Sequence, residues 1–400
     1  MNSDNRVLIA GAGPVGLVAA AKLVRRQIPV TVFEASETLS EESRASTFHP
    51  PTLDILDDLG VAADLIAQGL KAPRFQYRSK QDGVIATFDF SAIADVTRHP
   101  YRLQAEQFKL TRIIHAALRG DPNFRLEFGR GVCGVKQDDA GVTVQVMSAD
   151  GTSDERHGSW LIGADGARSD VRSALGIEFD GFTWPERFLV VSTPFDFYSV
   201  IPGLDPVSYV ADPDQWHFLL EIPGMWRVMF PIAPDVSDDA ATNPAFARAA
   251  LATVAPGAAD GEIAHITLYR VHQRVAKTFR LGRAFLAGDA AHINNPLGGM
   301  GMNGGIHDAV NLTDRLSRVW HGECTDRELD RYDLQRRLIT LEYVQKHTIQ
   351  NKRNLEARDK TDRDRFRSEM RTMLLDAQKT HDYLERVSMI ASLKRAAELG

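Results

Sequence analysis

Apolar residues come first in short unbroken runs and then at helical intervals. RVLIA (6–10) is one such run, 15–26 carries helical spacing, and PVTVFE (29–34) is a second run. The pattern predicts strand, helix, strand. Leu53, Leu56 and Leu59 predict helix across 45–70, and 106–119, followed by Pro122, predicts another. The period then shortens. FRLEFGRGVCGVKQD (124–138), VTVQVMSA (142–149) and HGSWLIGAD (157–165) read as strands between Gly/Asp turns. Beyond 180, RFLVVST, PVSYVA, QWHFLLEI and MWRVMFPI predict strands joined at ADPD (211–214) and PG (223–224). In QWHFLLEI, Trp216, Phe218 and Leu220 alternate with His217, Leu219 and Glu221. That suits a sheet with one face on a core and the other on a cavity or solvent. From 275 the opening pattern returns as a strand, a glycine-rich loop and a helix over 303–319. The stretch 326–400 reads as helical, and its charged run 352–367 as a solvated face.

Composition narrows the function classes. The chain has 400 residues, 44% hydrophobic and 25% charged, which suffices for two domains with substantial cores. A net charge of −6 argues against nucleic acid as a partner. Cys133 and Cys324 belong to no CxxC or Cys/His cluster, so neither a disulfide framework nor a metal site is expected, and reduced thiols fit a cytoplasmic protein. The apolar stretch 7–24 contains three glycines and a proline and runs into a second strand, unlike an export signal or a membrane anchor.

The glycines of that stretch follow a rule. Gly11-x-Gly13-x-x-Gly16 lies between predicted strand and helix, with Glu34 closing the next strand. The first glycine permits a tight turn, the second admits a pyrophosphate, and the third lets helix and strand pack closely. The helix N-terminus then faces the phosphates, and Glu34 accepts hydrogen bonds from a ribose. GADGARSDVR (163–172) is by itself an ordinary turn with surface charges. GDAAHINNPLGGMGMNGG (288–305) places six glycines in eighteen positions.

In their order along the chain, GAGPVG, GADGARS and GRAFLAGDAAHINNPLGGMGMNGG closely resemble the single-component FAD-dependent aromatic monooxygenases of the p-hydroxybenzoate hydroxylase type. SRASTFHPPTLDILDDLG (43–60), YRLQAEQFKL (101–110) and YRVHQRVAKTFRLGR (269–283) are similar to the same family. The resemblance implies an α/β fold in which a Rossmann-like FAD-binding domain (1–75, 100–180, 276–345) interleaves with a substrate-binding β-sheet domain (76–99, 181–275). Helices at 346–400 follow. It further implies FAD contacts from Gly11, Ala12, Gly13, Pro14, Val15, Gly16, Glu34, Ala35, Arg44, Gln104, Val132, Asp165, Asp289, Pro296, Gly299, Gly301, Met302 and Asn303. Asp289 would bind a hydroxyl of FAD, 296–303 would wrap the isoalloxazine, and Asp165 would serve both FAD and the nicotinamide cofactor.

With no second GxGxxG in the chain, NADPH or NADH is expected to bind transiently. In this family it reduces the flavin, O₂ adds at C4a, and the distal oxygen passes to an electron-rich ring such as a phenol or hydroxypyridine. Tyr198, Tyr209, Trp216, His217 and Met229 are candidate substrate contacts, alongside Phe182, Trp184 and Tyr269, although core packing explains each equally well. No catalytic base stands out among His217, Tyr198, Tyr209 and His272, and His292 reads as structural. A monomer or homodimer is expected. N-hydroxylation of an aromatic amine and reduction of a prenyl lipid are the alternative activities. A halogenase would carry a WxWxIP-like motif, which QWHFLLEIPG (215–224) does not match.

Overall fold

In the computed structural model, which describes residues 5–42, 45–213, 215–357 and 359–399, the run Val7–Ala10 is buried at every position. A strand without alternation belongs to a sheet covered on both faces. Val7–Ala10 accordingly lies between two parallel neighbours, Val30–Glu34 and Trp160–Gly163. The sheet has six strands in the order Arg280–Leu281, Ala284–Leu286, Trp160–Gly163, Val7–Ala10, Val30–Glu34 and Phe124–Phe128. The helix Pro14–Arg25 covers one face and packs against Gln107–Leu118 and the long helix Met300–Trp320.

A second sheet of eight strands runs His292–Ile293, His265–Ala276, Phe179–Thr193, Met225–Ile232, His217–Ile222, Val207–Ala211, Arg74–Ser79 and Gly83–Asp89. Its alternation sorts side chains to two faces. Leu189, Val191, Leu219, Val228 and Phe230 pack with Ala247 and Leu251 of the helix Pro244–Val254. Val190, Tyr209, Phe218, Leu220 and Met229 point the other way, into a cluster shared with Phe366, Tyr383 and Leu384 of the C-terminal helices.

Local differences from the sequence pattern have local causes. The helix expected over 45–70 is instead a short strand, Thr47–Phe48, followed by the helices Pro50–Asp58 and Ala62–Ala67. Pro50 and Pro51 lack N–H donors, so a helix can start there but cannot run through them. FRLEFGRGVCGVKQD is two strands in different sheets, Phe124–Phe128 and Arg130–Gln137, broken at Gly129 with φ +65°. The helix expected over 303–319 begins at Met300, capped by Gly299. The helix Pro244–Val254 was not anticipated, although Asn243 before Pro244 is a start signal. In the charged run 352–367, Lys352 turns inward. It is 1% exposed, bonds Glu356 at 2.5 Å and lies over the Trp184 ring.

The most deeply buried charges join three elements. Asp308, fully buried in the long helix, accepts hydrogen bonds from His292 Nε2 (2.7 Å), the Gly288 N–H (3.1 Å) and Arg336 Nε (2.7 Å). Burial alone would raise the Asp308 carboxyl, but His292 and Arg336 outweigh it and hold it below its ordinary range. His292 is therefore a structural donor. Asp308→Asn would leave the Arg336 guanidinium buried without its counter-charge, a loss of about 3–5 kcal/mol. Denaturant unfolding of the variant is expected to show that loss, and an unchanged midpoint would count against this role.

Candidate active site

The first glycine turn leaves one open side. Gly11 has φ +97°, and a Cβ there would stand 2.4 Å from the Ala164 carbonyl oxygen. A Cβ on Gly16 would stand 2.0 Å from the Gly11 oxygen, whereas one on Gly13 would meet nothing within 4 Å. The turn is closed against the sheet and open above the N-terminus of Pro14–Arg25, as a pyrophosphate requires. Glu34 stands beside it. Its Oε2 accepts from the Ala12 N–H (2.8 Å) and its Oε1 from the Ser36 N–H (3.0 Å), which orients a carboxylate with further acceptor capacity. Ala35 packs against Gly131, next to the buried Val132.

The middle and late motifs meet behind this turn. Asp165 accepts from the Ser169 hydroxyl (2.6 Å) and the Val171 N–H (3.0 Å), and burial raises its carboxyl against those bonds. Arg172 donates to the Ala290 carbonyl (2.9 Å) and the Ala167 carbonyl (2.9 Å), with its guanidinium 3.9 Å from the Phe179 ring centre. GADGARSDVR is thus bonded to GDAAH, and Asp289 faces the cavity described below.

The late glycines shape a loop at the start of the long helix. Gly298 and Gly299 have φ of +103° and +67°, a region that favours glycine. Asn303 fastens the turn, with its Nδ2 donating to the Thr47 (2.8 Å) and Gly299 (2.7 Å) carbonyls and its Oδ1 accepting from the His49 N–H (2.9 Å). His49 Nε2 donates to the Gly298 carbonyl at 2.8 Å. Burial, and then the Arg102 charge, push the His49 imidazole well below its ordinary pKa. From behind, Gln273 Oε1 accepts from the Asn295 N–H (3.1 Å), and Gln345 Nε2 donates to the Ile293 carbonyl (3.2 Å).

A cavity of about 280 Å³ lies between this loop and the eight-stranded sheet. Val190, Phe218, Leu220 and Tyr269 form apolar wall, while Ser46, Thr47, Arg102, Arg227 and Asp289 add polar groups. Pro296, Gly299, Gly301 and Met302 border it, as do Tyr209 and Met229 among the anticipated substrate contacts. Tyr209 stacks on Phe218 with ring centres 4.6 Å apart.

The other anticipated contacts lie elsewhere. Trp216 packs edge-on to Phe188, and His217 lies beside Phe230, its imidazole lowered by burial to about 4. Tyr198 is half-exposed and bonds Glu221. Phe182 and Trp184 do not line the cavity, and His272 pairs with Thr183. Arg44 lies outside the described residues. Three arginines that border the cavity, Arg102, Arg227 and Arg270, were not anticipated. Arg102 lies two positions from Gln104, and Arg227 two from Met229, so each shares a strand face with a residue already expected at the site.

The site fits FAD. Gly13 is open, and the first turn of the long helix presents its N-terminus to the loop. Gln104 is fully buried, its Oε1 accepting from the Thr47 hydroxyl (2.8 Å) while its Nε2 has no partner among the described residues. An unsatisfied amide at that depth calls for a ligand or water.

A glycine-turn nucleotide fold joined to a sheet-walled cavity by a second glycine loop is the architecture of a flavin-dependent aromatic hydroxylase. Residues 4–347 match the family described as "FAD binding domain", and the chain belongs to that family. It is 37% identical over 353 residues to the para-nitrophenol 4-monooxygenase of Pseudomonas sp. (strain WBC-3), covering 86% of this chain and 85% of the relative. With the 6-hydroxy-3-succinoylpyridine 3-monooxygenase HspB of Pseudomonas putida it shares 34% over 358 residues, covering 89% and 90%. The crystal structure of the p-nitrophenol 4-monooxygenase PnpA from Pseudomonas putida DLL-E4 superposes with a TM-score of 0.87 at 31% identity, covering 97% and 99%. The protein is an FAD-dependent monooxygenase. Among the described residues no helix is long and apolar enough to cross a membrane.

Three buried histidines make the fold acid-sensitive. Burial lowers His217 to about 4, His307 to about 3, and His49 well below its ordinary value. Each titrates near 6.5 when unfolded, so its contribution is complete above that pH and falls as protons bind the unfolded chain preferentially. At pH 5 His217 and His307 each cost roughly 2 kcal/mol, and His49 acts in the same direction. Unfolding midpoints are expected to drop steadily below about pH 6.5, and a flat profile down to pH 5 would contradict neutral burial.

Proposed function

We propose that this chain uses NADPH or NADH and O₂ to hydroxylate a small aromatic compound of the phenol or hydroxypyridine type, in the cytoplasm, as a monomer or homodimer. The observation that carries this reading is the cavity itself. It is about 280 Å³, mostly apolar, and bounded on one side by the glycine loop and on the other by Tyr209 and Phe218. The two enzymes above are named for action on a nitrophenol and a hydroxypyridine, which supports the same substrate class. No observation favours N-hydroxylation or prenyl-lipid reduction.

In this reading Gly11–Gly16 and Glu34 hold the ADP portion, with Ala35 and Val132 beside it. Asp165 organises the turn under the pyrophosphate, and Asp289 and Gln104 bind polar groups nearer the ring system. When bound, FAD supplies the reduction by the nicotinamide cofactor and the activation of O₂ for transfer to the substrate ring. The protein's part is orientation and exclusion of water. Pro296 to Asn303 hold backbone N–H groups and the positive end of the long helix at the loop, where they favour negative charge. Tyr209 and Phe218, stacked on each other, give the cavity an aromatic wall. Val190, Leu220 and Met229 keep the cavity dry, which guards a reactive oxygen species from water. The two sheets support a division into an FAD domain and a substrate domain, with His292–Ile293 of the FAD segment joining the substrate-side sheet.

Asp289→Ala is expected to weaken FAD retention about tenfold to a hundredfold, the worth of one hydrogen bond to a charged group. FAD titration of the apoprotein measures this, with far-ultraviolet dichroism as a check on folding. Unaltered affinity would remove Asp289 from the cofactor site. Anaerobic reduction by NADPH or NADH, followed at the flavin's visible band, is expected to be slow alone and much faster with a bound phenol. Such control requires the ligand to prefer the reducible arrangement, since equal affinity for both states shifts nothing. Equal rates with and without every phenol and hydroxypyridine tested, and no oxygenated product, would overturn the proposal.

A further inference from the structure

Six arginines are buried among the described residues. Arg336 is paired with Asp308, and Arg172 with two carbonyls. Arg187 bonds Asp238 and the Ala233 carbonyl, and Arg78 bonds Gln76 and the Pro202 and Gly203 carbonyls. Arg227 donates to the Ser46 hydroxyl at 3.1 Å. Arg102 is the exception. It is 3% exposed, its side chain forms neither a hydrogen bond nor an ion pair with any described residue, and its Nε is sealed without a partner. Its only contacts of note are the ring faces of Phe75 and Phe90, 4.7 and 5.4 Å from the guanidinium carbon.

An arginine keeps its charge when buried, and burying that charge without an acceptor costs several kcal/mol. Ring faces return only part of that cost. Arg102 nevertheless lines the cavity, beside the stacked pair Tyr209 and Phe218, which also line it. The three conditions meet in one place: a fixed positive charge, unused donors and an aromatic wall. We propose that Arg102 is the specificity anchor of the cavity and takes an anionic oxygen carried by the aromatic substrate, either a phenolate or a ring carboxylate. The planar fork of donors matches such an oxygen. This rests on the hydroxylase reading and adds to it the charge state of the compound that binds.

The test uses the FAD-loaded protein and reads ligand binding from the perturbed flavin spectrum. Four probes form two pairs: 4-nitrophenol at a pH where it is ionised against 4-nitroanisole, and benzoate against benzamide. Wild type is expected to prefer at least one anion over its neutral partner by about tenfold or more. Which pair shows the preference tells phenolate from carboxylate. Arg102→Gln and Arg102→Met should abolish the preference by weakening the anion alone, and Arg102→Lys should restore part of it.

Equal binding of anion and neutral partner by wild type would overturn the anchor, as would failure to bind either anion. So would equal weakening of both members of a pair in the variants. If a variant does not fold, the wild-type preference alone decides. Failure of the hydroxylase reading is a separate result, in which wild type binds the anions with the stated preference but forms no oxygenated product from any phenol or hydroxypyridine.

Discussion

A single carboxylate, Asp308, holds the late part of the chain in register. It stands in the long helix and draws together the strand residue His292, the Gly288 backbone and Arg336 of the helix Asp330–Ile339. A buried charge with three donors has no comparable alternative arrangement, because any departure strands an ion in apolar surroundings. The six glycines of 288–305 would otherwise leave that segment with great freedom. The ion cluster removes the freedom at one end, and Asn303 and His49 remove it at the other. Between these fixed points, Gly298 and Gly299 keep their left-handed geometry.

The same economy governs the cavity. Its loop wall is fastened to Thr47 and His49 on one side and to Gln273 and Gln345 on the other, so three distant stretches of chain set one short loop. Its opposite wall is one face of a sheet whose reverse face is a complete core of its own. Rigid support on both sides allows apolar surface to remain uncovered between them, and a cavity persists where a softer fold would collapse.

Much of this was legible from residue order, and the exceptions are instructive. The strand at 7–10, the helix after Gly13 and the acidic end of the second strand follow from local pattern, since each element is governed by its own burial and glycine chemistry. His292 was read as structural, and Asp308 is its partner. The alternation in QWHFLLEI was read correctly as two faces, but which aromatic side chains reach the cavity was not. Trp216 and His217 are set by contacts with Phe188 and Phe230, far off in sequence. Arg102 and Arg227 escaped notice because a charge in a strand looks like an outward residue until the other sheet is in place. The prolines at 50 and 51 carried a plain local signal that the leucine spacing obscured.

The chain passes between the six-stranded and eight-stranded sheets five times, from 34 to 74, 89 to 124, 163 to 179, 276 to 280 and 286 to 292. Neither sheet is a continuous stretch of gene. Five of the eight strands, from Phe179–Thr193 to His265–Ala276, do form one stretch and carry most of the cavity-facing sheet residues, so exchanging 179–276 with a relative would replace most of that wall while Arg74–Ser79, Gly83–Asp89 and His292–Ile293 stayed behind. Point changes on the intact frame avoid that mismatch between new strands and old edges. The strands facing the cavity are suited to that, since alternate residues can vary while the reverse face keeps its core.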